Sequence, residues 1–106
     1  MKRFAANKVM LDAQTLWLNA VVECDNTGVV IAVSTLENQL SEPASTFFFN
    51  GLITTEVCLT DLAVGMFIPD LLTHSLSVGY HGKLILWQNI NLATLKVTSD
   101  TETRVL

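Results

Sequence analysis

Residues 47–64 read FFFNGLITTEVCLTDLAV, and the chain is best understood outward from them. Three consecutive phenylalanines begin an apolar strand over residues 47–53. Because side chains alternate along a strand, such a run sends aromatic rings to both faces. The strand is therefore expected to be buried on both sides, or to meet another chain with its outer face. Beyond Asn50-Gly51 the character changes. Thr60-Asp61 can cap a helix whose apolar residues Leu62, Ala63, Met66 and Phe67 fall at helical spacing, and Pro69 should end that turn and start another through Leu71 and Leu72. This is the only helix the sequence predicts.

On the N-terminal side, residues 2–11 read as a strand entering a turn at Asp12-Ala13-Gln14. Residues 17–24 alternate, with Leu18, Ala20, Val22 and Cys24 expected to face the core. Asp25-Asn26-Thr27-Gly28 tolerates the positive φ of a tight turn, and a β-branched run over 29–33 completes a hairpin. Residues 37–45 are polar, contain Pro43 and should form a loop. On the C-terminal side, residues 84–87 form a further apolar strand. Leu95 and Val97 point one way from an expected strand, Ser99-Asp100 turns, and residues 103–106 close with a short strand. The expected fold class is mainly β, a small β-sandwich built from N- and C-terminal strands with a short helical connection. It forms one domain over 1–106, made of strands over 1–54, a linker over 55–78 and returning strands over 79–106.

The 106 residues suit one core, able to bury about two thirds of the unfolded surface. Half of the residues are apolar and 15% charged, which leaves little polar surface for a monomer and points to self-association, most simply a homodimer. Ten acidic residues against six basic ones, with no basic cluster beyond Lys2-Arg3, argue against nucleic acid as a partner. No apolar run reaches the ~20 residues of a membrane-spanning helix, and no signal-peptide core follows Lys2-Arg3, so the expectation is a cytoplasmic protein without a membrane partner. Cys24 and Cys58 lie in apolar stretches without a nearby Cys or His at metal-ligand spacing and read as buried thiols.

Two phrases carry a resemblance. KVMLDAQTLWLNAVVECDNTGVVIAV (8–33), followed by FFFNGLITTEV (47–57), is similar to the opening of the amidohydrolase superfamily of metal-dependent hydrolases. There, small strands precede a phrase of the type N-G-apolar-apolar-x-P-G-x-apolar-x-x-H-x-H. SVGYHGKLILWQNINLATLKV (77–97) resembles the family's closing segment. The resemblance implies a composite β-sandwich made from the two ends of the chain. The catalytic (β/α)8 barrel that lies between them in the family, of about 250 residues, has no room here.

Counted from Asn50-Gly51, the family's Pro-Gly falls on Thr55-Glu56 and its two metal-binding histidines on Asp61 and Ala63. An alanine offers no donor, and Asp61 alone cannot replace two imidazoles. His74 and His81 fall outside that motif and read as structural histidines. Other chemistry is equally sparse. No serine sits in a nucleophile elbow, no glycine-rich phosphate loop follows a strand, and Glu56, Asp61 and Asp70 read as cap and surface carboxylates. Trp17 and Trp87 read as core or interface anchors.

The expectation is therefore a non-catalytic module with no catalytic residue, metal or cofactor, acting through self-association or protein contacts. The competing reading is a hydrolase of C–N bonds that needs a barrel from elsewhere. Removal of a barrel would expose the apolar side chains beside the gap, so the expected interface comprises Phe47, Phe49, Val57, Leu59 and Leu62, together with Met66, Phe67, Ile68, Leu71 and Leu72.

Overall fold

The computed structural model describes residues 2–12, 14–35, 46–57, 62–72 and 80–106. Six strands account for most of them: β1 (Lys2–Met10), β2 (Trp17–Cys24), β3 (Val30–Thr35), β4 (Thr46–Thr55), β5 (Leu84–Gln88) and β6 (Glu102–Val105). The protein is mainly β. The strands make one mixed sheet in the order β3-β2-β1-β4-β5-β6, in which β1 and β4 run parallel and every other neighbouring pair is antiparallel. Strands from both ends of the chain thus share one sheet. The mainly-β class expected from the sequence is the class of the structure, and its described strands belong to one sheet, which curls. The Val30 amide donates to the Tyr80 carbonyl at 2.8 Å, and Val29 bridges to His81, so the start of β3 meets the segment leading into β5.

Side-chain chemistry accounts for the turns. Asp12, itself buried, accepts the Gln14 and Thr15 amides at 2.9 Å each and closes the β1–β2 connection. In the β2–β3 hairpin the Asp25 carboxylate accepts from the Thr27 amide and hydroxyl and from the Val29 amide, while Gly28 takes a φ of +90°. These hydrogen bonds, led by the Thr27 hydroxyl, hold the Asp25 carboxyl below the usual carboxylate range.

At the centre of the sheet, the β1–β4 register shifts by one residue between Ala6 and Lys8. Asn50-Gly51 forms the bulge opposite Asn7, whose side-chain carbonyl accepts the Gly51 amide at 2.8 Å. A Cβ on Gly51 would lie 2.2 Å from the Trp87 carbonyl oxygen, so the close approach of β5 requires glycine there.

Two apolar clusters form on opposite sides of the sheet. The first gathers Phe4, Val9, Ala20, Val22, Val30 and Leu86 with their neighbours; the second gathers Met10, Leu52, Ile68, Ile85, Trp87, Leu95 and Val97. Residues in register explain the division: Ile53 pairs with Leu86 toward the first cluster, and Leu52 pairs with Trp87 toward the second. The Trp87 ring is fully buried, and its indole N–H donates to the Thr54 hydroxyl at 2.9 Å. Thr54 in turn donates to the Thr55 carbonyl, so both buried polar groups of this relay are satisfied.

Three expectations are corrected by these contacts. The inward set in β2 changes phase: Ala20, Val22 and Cys24 are buried, but Leu18 is 56% exposed and Trp17 packs against the first cluster instead. Asn19, between Leu18 and Ala20, takes a φ of +47° and rotates the backbone. The helix expected from residue 62 is absent, and the described part of the linker holds a 3-10 turn, Ile68–Leu71, with Pro69 in its first positions. Its backbone groups are committed elsewhere: Gly65 and Ile68 donate to the Val97 and Leu95 carbonyls, and Val97 donates to Met66. The proposed capping pair Thr60-Asp61 lies outside the described residues. Leu95 and Val97 do point together into the second cluster, but from a tight turn closed by the Asn91 side chain rather than from a strand.

Candidate functional site

The residue types capable of chemistry are dispersed. Cys24 is a buried free thiol; burial, then the adjacent Asp25 charge, push its pKa up, against a smaller opposing effect of Lys2. A thiol held protonated is a poor nucleophile. The Nε2 of His81 lies 3.0 Å from the Thr27 carbonyl, tying the hairpin turn to the segment before β5. The Glu56 amide donates to the Tyr80 hydroxyl, which donates to the Lys83 carbonyl, and Asp70 is exposed on the 3-10 turn. Ala63 is exposed, while Cys58, Asp61 and His74 lie outside the described residues. Among the described residues, no three of His, Cys, Asp and Glu gather in a group able to hold a metal ion.

Two clefts of similar size open near these residues. One, of ≈ 480 Å³, opens beside the β2–β3 turn between Lys2, Cys24, Thr27 and Gly82. The other, of ≈ 420 Å³, lies over the β4 bulge between Asn50, Gln88 and Asn89. The cleft over the bulge is lined mainly by polar groups, while the one beside the hairpin mixes Lys2 and Asp25 with the apolar Phe4, Leu84 and Leu106, and its one thiol, Cys24, is the protonated group described above.

The described residues among those expected at an interface separate into four sets. Ile68 and Leu72 are buried in the second cluster, so the linker covers its own core with them and they form no part of an exposed surface. Val57, Leu62, Met66 and Leu71 are half-buried and pack against the same cluster. Phe67 remains 42% exposed, beside Val64 at 69%, a residue that the sequence reading omitted. Leu59 lies outside the described residues.

Phe47 and Phe49 lie elsewhere, on the first-cluster side of β4. Phe4 stacks on Phe47 with ring centroids 5.9 Å apart and approaches Phe49 at 6.2 Å. The Arg104 guanidinium sits 5.0 Å from the Phe49 ring centroid, a cation–π distance. These rings, with Val105 and Lys2, line a shallow groove of ≈ 260 Å³. Sequence reasoning missed Lys2 and Arg104, since the sheet, rather than any local motif, brings the Arg104 side chain of β6 over the Phe49 ring of β4.

No described helix is long and apolar enough to cross a membrane. Comparison with protein-family models, with curated proteins and with solved structures finds no match to this chain.

Proposed function

We propose that the chain is a non-catalytic β module, of the kind that the terminal segments of amidohydrolases form, and that it acts by pairing with a second copy through residues 62–67. The kinship is supported by one arrangement: β1, β2 and β4 share a sheet with β5 and β6, as a composite of two chain ends requires.

The pairing rests on Leu62-Ala63-Val64-Gly65-Met66-Phe67. This stretch carries no charge, and hydrogen bonds to Leu95 and Val97 fix its backbone with Val64 and Phe67 turned to water. A rigid, uncharged, apolar protrusion loses little conformational entropy on docking, and a two-fold axis buries it on both copies at once. Sedimentation velocity at micromolar concentration should give a dimer. Val64→Glu with Phe67→Glu should give a monomer with unchanged far-ultraviolet circular dichroism. A wild-type chain that stays monomeric at high micromolar concentration refutes the proposal.

A further inference from the structure

The groove at Phe47 and Phe49 lies on the opposite side of the sheet from residues 62–67, and its construction is different. Its floor is aromatic, with Phe4 behind Phe47 and Phe49. Its rim holds Lys2 and Arg104, two of only six basic residues in a chain of formal charge -4. Among the described residues the one ion pair is Arg3 with Glu23, so neither rim cation has a carboxylate partner there; Arg104 rests on the Phe49 ring.

The groove is also bordered by open backbone. β5 pairs with Leu52 to Thr55 of β4, which leaves Phe47 to Phe49 with β1 as their neighbouring strand among the described residues. β6 has β5 on one side and ends the sheet on the other. Natural sheets usually protect such edges with charge, and the stretch TFFFN has none.

From these features we infer that the groove takes an extended segment of another protein, in which apolar side chains alternate with acidic ones. The apolar side chains enter between Phe47 and Phe49. The carboxylates meet Lys2 and Arg104, and the backbone pairs along the open half of β4 by strand addition. A small molecule is a poorer match, because ≈ 260 Å³ of open groove falls below the roughly 300–1,000 Å³ of pockets that enclose such ligands. A second copy offering its own β4 is a poorer match too, since TFFFN brings no carboxylate to the two rim cations.

The probe is a dye-labelled six-residue peptide in which valine alternates with glutamate, compared with its counterpart carrying lysine in place of glutamate. Fluorescence anisotropy should show the glutamate peptide binding tighter by roughly tenfold, the effect of one charge-assisted contact. Arg104→Glu, on an exposed strand, should abolish that preference, because it leaves Lys2 facing a carboxylate, and Phe47→Ser should weaken both peptides while the circular dichroism is unchanged. Val64→Glu with Phe67→Glu should leave peptide binding intact, which separates this site from the proposed dimer surface. Equal affinity for the two peptides, an Arg104→Glu variant with unchanged preference, or dissociation of a wild-type dimer by Phe47→Ser would each overturn the inference.

Discussion

The two halves of β4 differ sharply in burial. From Gly51 to Thr55 every residue is buried, Leu52 and Ile53 completely, between β1 and β5 and between both apolar clusters. From Phe47 to Phe49 the same strand, richer in large apolar side chains, leaves Phe47 54% and Phe48 53% exposed. The boundary is the Asn50-Gly51 bulge, and the cause is the extent of β5, which pairs with residues 52–55 and reaches no further. Burial in this sheet follows the number of neighbouring strands and the cover on each face rather than side-chain hydrophobicity. A leucine with two strand neighbours is dry, while a phenylalanine with one is wet.

Substitutions across the boundary test this directly. The largest effect should come from the buried half. Trp87→Ala removes a fully buried indole opposite Leu52 and withdraws the donor from the buried Thr54 hydroxyl. A loss of about 3–5 kcal/mol in urea unfolding is expected. A loss under ~1 kcal/mol would mean that the second cluster contributes little to stability.

At the boundary itself, Gly51→Ala drives a methyl group into the Trp87 carbonyl and should cost about 1–3 kcal/mol, with the β4–β5 amides losing hydrogen-exchange protection first. Unchanged protection there would show that β5 moves away freely. The smallest effect belongs to the exposed half. Phe48→Ser should shift the midpoint of unfolding by no more than about 0.5 kcal/mol, despite the loss of a whole aromatic ring. A cost comparable to that of Trp87→Ala would show that Phe48 is covered in solution, and would end the contrast.

Much of the sheet was legible because its signals are local. Asp25-Asn26-Thr27-Gly28 carries both the carboxylate and the glycine its hairpin uses, and 84–87 and 103–106 were read as strands within a residue or two of β5 and β6. What escaped depends on partners remote in sequence. Nothing near Asn19 announces that its φ turns positive and exchanges Leu18 for Trp17 at the core; that phase belongs to the sheet, which kinks where Asn7 faces the β4 bulge.

Residues 62–71 have helical spacing, yet Gly65 and Pro69 weaken a helix, and carbonyls some thirty residues later capture its amides. The three phenylalanines pointed correctly to a strand, but their exposure is set by where another strand stops. For the candidate sites the same distinction holds. The apolar linker was visible from composition, whereas the groove needs the Arg104 side chain of β6 to reach past β5 to Phe49 of β4, and no motif in residues 102–105 foretells that.

The parallel pairing of β1 with β4 also governs the order in which the chain can assemble. β1, β2 and β3 are consecutive antiparallel strands joined by short turns, so they can associate as soon as they are made. One flank of β1 then waits for a partner whose register joins Arg3 to Thr46 and Val9 to Ile53. Closing a loop of that length is entropically unfavourable until β4 and β5 bury their side chains together. On a ribosome, where synthesis runs from the N-terminus, the half-built sheet therefore passes through an interval with its central strand uncovered, and speed of translation through the middle of the chain sets how long that interval lasts.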